Sequence, residues 1–167
     1  MQEYITEALV LDREPVGELD FRISFFTRKF GKLVAKAKSA RKVTSKLSGH
    51  LLPGNLADIR LVEKNGLQVV DALKKWTAAA AAPDLSFLNK ILAEGEPETA
   101  LWNKLSSGGF NWPEALKILG WDPEFAVCSV CARPRPEAFN IGGQEFFCRN
   151  CLPRHQTEHF VFFNALH

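Results

Sequence analysis

The sequence predicts an α+β chain in three parts: a small basic β-barrel, a short helical segment and a C-terminal four-cysteine zinc module. Three observations predict it. Short apolar runs at period two fill the first 76 positions. After Trp76 the apolar spacing turns helical, and all four cysteines fall in two C-x-x-C pairs near the end. The boundaries these features mark are 1–76, 77–127 and 128–167.

In the first part, Tyr4–Asp12 alternates loosely around Ile5, Leu9 and Leu11, and a Pro15/Gly17 turn follows. Leu19–Thr27 places Leu19, Phe21, Ile23 and Phe25 at period two, the pattern of a half-buried strand. A Lys29-Phe30-Gly31-Lys32 turn leads into Leu33–Ala37, and a polar Ser- and Lys-rich connection comes next. Leu56–Val62 and Leu67–Leu73 flank Lys64-Asn65-Gly66, and Asn-Gly between alternating apolar runs is a strong hairpin signal. Five short strands with one long basic connection fit a Greek-key barrel of the OB type, with an SH3-like barrel as the nearest competitor.

Past Trp76, Pro83-Asp84 can start a helix carrying Leu85, Leu88, Ile91 and Leu92. A second helix is expected over Glu96–Leu105 with Pro97 in its first turn, and a third over Pro113–Leu119 with Gly120 as its cap. None is long, so packing on the barrel is expected rather than a separate bundle.

Composition sets limits. The chain has 167 residues, 46% hydrophobic and 24% charged, enough for one medium domain or two small ones. No apolar stretch approaches the roughly 20 residues that span a bilayer. Glu3 and Glu7 stand where a secretory signal would carry basic residues. A cytoplasmic protein with no membrane partner is the expectation.

The net charge of +2 hides a segregation. Residues 1–20 hold six acidic groups and one basic, whereas residues 21–57 hold nine basic groups and no acidic one. The nine are Arg22, Arg28, Lys29, Lys32, Lys36, Lys38, Arg41, Lys42 and Lys46. Such a stripe neutralises phosphates with a salt-dependent, sequence-tolerant affinity. Phe21, Phe25, Phe26 and Phe30 are interleaved with it, and barrel-surface aromatics can stack bases. Phenylalanines at period two on a strand more often belong to a core, which is the reading favoured for Phe21 and Phe25.

Cys128-Ser-Val-Cys131 and Cys148-Arg-Asn-Cys151 are 16 residues apart. In a reducing compartment this pattern reads as metal rather than disulfide, and two knuckles offer one zinc ion four thiolates. Gly142-Gly143 fits the hairpin that returns the second pair to the first. Four thiolates leave no open position for water, so the zinc is expected to be structural. His155 and His159 lie one helical turn apart just beyond; either could substitute as a ligand, though surface positions are the simpler reading. No Walker loop, G-x-G-x-x-G, G-x-S-x-G or H-E-x-x-H occurs, and nothing points to an enzyme.

Together these residues resemble a family. Tyr4-Ile-Thr-Glu-Ala-Leu-Val-Leu, Glu18-Leu-Asp, Ile23-Ser-Phe-Phe-Thr-Arg-Lys-Phe-Gly, Ala37-Lys-Ser-Ala-Arg-Lys and Ser45-Lys-Leu-Ser-Gly-His-Leu-Leu-Pro are similar to the N-terminal barrel of RecO, the bacterial recombination mediator. Leu116-Lys-Ile-Leu-Gly-Trp-Asp-Pro, leading into the two cysteine pairs with Phe139 and Gly142-Gly143 between them, resembles the family's zinc-bearing branch.

The resemblance implies an OB-fold, a helical domain and a zinc module. It also implies binding of single- and double-stranded DNA, strand annealing, and RecA loading with RecR. Single-strand-binding protein is a further implied partner, through a helical domain that is shortened here. Arg28, Lys29, Lys36, Lys38, Arg41, Lys42 and Lys46 match the family's barrel as DNA contacts; Arg22 and Lys32 join them by charge alone. Two readings stand beside this one. A protein-interaction module could recruit acidic partners, or an OB/zinc protein could bind RNA.

Overall fold

A computed structural model describes residues 1–154 and 159–163. In the first 108 residues, five strands follow the alternation read above: β1 (Glu3–Val16), β2 (Asp20–Thr27), β3 (Gly31–Ala37), β4 (Asn55–Glu63) and β5 (Leu67–Thr77). They close into a barrel in the order β1-β2-β3-β5-β4. The β3–β5 pairing is parallel, through Lys36 opposite Gln68, and all other pairings are antiparallel. This is the OB-fold expected from the sequence, not the SH3-like alternative.

Parity sets what fills the barrel. Val10, Ile23, Phe25, Ile59, Leu61 and Val69 point inward together with Ala8, Ala35, Ala37, Ala57 and Ala72. Alternating large and small side chains fit the narrow interior. The β3–β4 connection contributes buried Ala40 and Leu51 to the same core. Asn65 (φ +53°) and Gly66 (φ +93°) supply the left-handed turn of the β4–β5 hairpin.

On β1 the structure departs from the period-two reading. Ala8 and Val10 face the core, Ile5 is 59% exposed, and Leu9 and Leu11 are buried although they are out of phase with Ala8 and Val10. This strand pairs with β4 over residues 3–9 and with β2 over residues 8–16, with a register shift between Val10 and Asp12. The helix α1 (Ala82–Ile91) packs on β1, and both faces of that strand are buried over residues 8–11. Phe26 on β2 is likewise out of phase with Phe25 yet fully buried, its ring 5.9 Å from that of Trp102. Trp102 lies on α2 (Thr99–Ser107), which starts later than expected: Pro97 precedes the helix and Glu98 is its N-cap. Burying one such aromatic is worth about 1.5–3 kcal/mol.

The second compact unit covers 109–167. Its helix α3 (Trp112–Ile118) opens on Asn111, whose side chain accepts the Glu114 amide at 3.0 Å. It closes with Gly120 at φ +100°, where the Gly120 amide donates to Lys117 O and that of Trp121 to Leu116 O. Thus α1 and α2 fall in the barrel's unit and α3 in the cysteine unit. Three short strands follow: β6 (Ala138–Asn140), β7 (Glu145–Phe147) and β8 (Phe160–Phe162), in the order β7-β6-β8. The sequence reading had no strand at β8. Fully buried Phe139 packs tilted or edge-on against Trp121 and Phe146, and Phe146 against Phe163; Phe147 and Phe160 form a separate edge-on pair.

Candidate metal centre and basic barrel surface

The first knuckle is a tight turn. Cys128 N–H donates to Arg133 O at 2.9 Å, Ala132 N–H returns to Cys128 O at 2.9 Å, and Ala132 adopts φ +58°. Ser129 N–H donates to Phe146 O and Glu137 N–H to Phe147 O, which holds the first knuckle against β7. The β6–β7 hairpin around Gly142-Gly143 is secured by Asn140, whose side chain accepts the Gly143 amide at 2.9 Å. β7 then runs into Cys148, and a 3₁₀ turn over Arg149–Cys151 forms the second knuckle.

These turns bring the sulfurs of Cys128, Cys131, Cys148 and Cys151 within 4.8 Å of one another. Cys131 Sγ and Cys148 Sγ are 3.6 Å apart, well beyond a disulfide bond. Cys128 and Cys148 are buried, Cys151 half-buried and Cys131 exposed. Burial alone would push the Cys128 thiol up. The backbone N–H groups of Cys131, Cys148 and Val130 aimed at its sulfur outweigh that and bring it down to about 6. Cys151, hydrogen-bonded to Cys148 and Cys131, is pushed up to about 12. Four sulfurs so crowded cannot all ionise without a cation among them, and a divalent metal resolves the conflict. The four cysteines can therefore hold a metal ion. Among the described residues His159 is not part of this cluster; His155 lies outside the described residues.

The nine barrel cations are distributed unevenly. Pairing β1 against β2 sets the acidic start of the chain beside its basic continuation. Arg22 meets Glu14 at 2.6 Å, Arg28 meets Glu7 at 3.1 Å, and Lys36 meets Asp20 at 2.9 Å. Lys29 Nζ donates to Ile5 O, and Arg41 donates to Gly17 O. Lys32 reaches Asn89 O at 2.5 Å, in the last turn of α1. Lys38, Lys42 and Lys46 are exposed on or beside the connection after β3. That connection folds back on the β1–β2 turn, since Arg41 N–H donates to Leu19 O and Ser39 N–H to Asp20.

Arg22, Lys36, Lys38, Arg41 and Lys42 thus gather near one turn. Arg28 and Lys29 lie at the far end of β2, about 20 Å away at ~3.3 Å per residue. Arg22 and Lys36, cross-strand neighbours, line a shallow groove with Val16, Val34, Asn65 and Leu67. Of the interleaved phenylalanines, Phe25 and Phe26 are fully buried; Phe21 lies under Arg13 at 4.3 Å, and Phe30 packs edge-on against Tyr4. Sequence reading passed over Lys74, Lys75 and Trp76, all exposed at the end of β5. The available signal was two adjacent lysines and a tryptophan where the strand pattern breaks off.

Comparison with known proteins agrees with this architecture. Residues 1–76 match the family model for the N-terminal part of recombination protein O. A DNA repair protein RecO from Thermodesulfovibrio yellowstonii is 28% identical over 174 residues, covering 89% of this chain and 70% of the relative. One from Cutibacterium acnes is 27% identical over 92% of this chain and 76% of its own, and one from Bifidobacterium longum 26% over 89% and 74%. With matches that extend over about nine-tenths of the chain, it is similar in sequence to RecO DNA repair proteins, and its first 76 residues to the N-terminal part of that family.

Proposed function

We propose that the chain is a non-enzymatic recombination mediator that binds single- and double-stranded DNA on its barrel and promotes annealing of complementary strands. The observation that carries this is the groove between the β1–β2 turn, the β2–β3 face and the β4–β5 hairpin, with Arg22 and Lys36 on its wall. OB barrels take oligonucleotides on the strand 2–3 face, between these same two loops. Lys38, Arg41 and Lys42 extend the positive surface from that face onto the neighbouring connection. Cations there offset phosphate repulsion so that two strands can approach, and no covalent step is needed. The similarity to RecO proteins supports adding to this reading the loading of RecA with RecR and a cytoplasmic, nucleoid-associated address.

The metal in this reading is one structural zinc ion. Thiolate–zinc bonds of about 2.3 Å in a tetrahedron set sulfurs about 3.8 Å apart, close to the 3.6 Å between Cys131 and Cys148. Zinc would tie the two knuckles together and leave no coordination position for chemistry.

Fluorescence anisotropy of labelled single-stranded and duplex DNA over a series of salt concentrations tests the proposal. Binding should weaken with salt, with a log–log slope of about 0.7 per phosphate contacted on a single strand. Arg41→Glu with Lys42→Glu should lower both affinity and slope. Undetectable or salt-insensitive binding would instead favour an acidic protein partner for the same surface.

A further inference from the structure

We propose that Trp76 is a stacking platform for an unpaired nucleobase of a single strand, with Lys74, Arg28 and Lys29 taking the flanking phosphates. The inference rests on the nucleic-acid reading above and adds a contact point away from the β2–β3 groove.

The phenylalanines among the basic residues are occupied in packing. Among the described residues of the barrel unit, Trp76 is the one exposed large aromatic, 43% open to solvent. It sits at the end of β5, opposite Leu56 of β4. The Lys75 ammonium lies 5.3 Å from the centre of its ring. That ammonium is itself held by Glu7 at 2.6 Å and Asp58 at 3.7 Å. The second oxygen of Glu7 takes Arg28. A chain of contacts therefore runs Arg28–Glu7–Lys75–Trp76 and pre-orients the indole, which lowers the entropy lost when a base settles on it.

Exposed Ile5 lines a shallow groove with Glu7, Arg28, Lys29 and Asp58, exposed Leu73 is the cross-strand neighbour of that Asp58, and exposed Lys74 lies two residues before Trp76 on the same strand. Four cations (Arg28, Lys29, Lys74, Lys75) against two carboxylates (Glu7, Asp58) leave the patch at +2. A modest positive charge around an open aromatic suits a single strand, whose bases offer π-faces and whose charge is sparser than a duplex's. Bases inside a duplex are already stacked and cannot use it.

The test compares the full chain with Trp76→Ala and Trp76→Phe, by anisotropy, on three labelled probes: an oligothymidylate, an abasic deoxyribose-phosphate oligomer of equal length, and a duplex. Trp76→Ala should weaken oligothymidylate binding by about 5- to 150-fold, the range a lost stacked base represents. Its salt slope should not change, Trp76→Phe should recover most of the loss, and duplex and abasic affinities should match those of the unaltered chain. Tryptophan fluorescence should be quenched by oligothymidylate, and that quenching should vanish in Trp76→Phe, a readout that survives if the alanine variant misfolds. Equal oligothymidylate affinity in all three proteins, or equal losses on all three probes, overturns the role of Trp76 while leaving DNA binding intact. No binding of any probe by the unaltered chain overturns the nucleic-acid reading as well.

Discussion

At position 31 the backbone takes φ +68°, and a Cβ there would collide with the backbone of Glu96, where the chain after α1 crosses the barrel. Gly95 N–H donates to Lys32 O beside it, so the crossing is hydrogen-bonded as well as close. Gly31→Ala combines a left-handed alanine with a steric clash. It should destabilise the barrel unit by at least about 2 kcal/mol, read as a lower urea midpoint. An unchanged midpoint would mean that the 94–96 segment moves aside without loss. The turn itself was legible from Lys29-Phe30-Gly31-Lys32; the need for glycine comes from a segment 65 residues downstream and so was not.

β1 ties together strands that are distant in sequence, and its charges do the same. Glu7 is held below the usual carboxylate range, first by its hydrogen bond with Lys75 and also by Arg28, against burial that would raise it. Asp20 is lowered in the same direction by Lys36 and the Ser39 amide. Carboxylates depressed in the folded state contribute stability above their unfolded values near 4.5 and 3.8. That stability is lost as pH falls through the folded values. The barrel unit should therefore have a flat stability profile above pH ~5 and a falling one below ~4. Glu7→Gln should remove part of that fall while lowering neutral-pH stability by about 0.5 kcal/mol. A denaturant midpoint series against pH checks it, and a slope identical to the unaltered chain's would exclude Glu7.

At the scale of the molecule, the cysteine unit is 59 residues long, and its sheet has three strands of three residues each. A core of that size is marginal without a staple, so metal and fold should be lost together. Cys148→Ser removes one of the two buried thiols of the cluster proposed to hold zinc. It should abolish bound zinc and the cooperative unfolding of residues 109–167, while the barrel unit melts as before. Atomic absorption and calorimetry read the two effects, and full zinc content in the variant would refute a four-thiolate site.

How much could be read in advance differs between the modules for a physical reason. Strand order, hairpin chemistry and the knuckles are local patterns, since period-two alternation, Asn-Gly and C-x-x-C each act over a few residues. By themselves they were sufficient for the OB barrel and the metal cluster. That Ala8 and Val10 rather than Leu9 and Leu11 face the barrel core, and that Phe26 is buried as well as Phe25, was not legible, because α1 and α2 supply a second layer over the barrel's outer face. Nor was the fate of the basic stripe: of nine cations without a neighbouring acid in sequence, Arg22 and Arg28 acquire Glu14 and Glu7 once β1 pairs with β2, and Lys36 acquires Asp20 once β2 pairs with β3. β8 was missed because three residues carry no period, and only the β6 edge makes them a strand. The sequence by itself determined the barrel, the order of strands and helices along the chain and the four cysteines that cluster, but not the division into units, which assigns α1 and α2 to the barrel and α3 to the cysteines. Tertiary structure alone decided which charges stay exposed and which aromatic of the barrel unit is open to solvent, because both depend on cross-strand and cross-layer neighbours that no local pattern encodes.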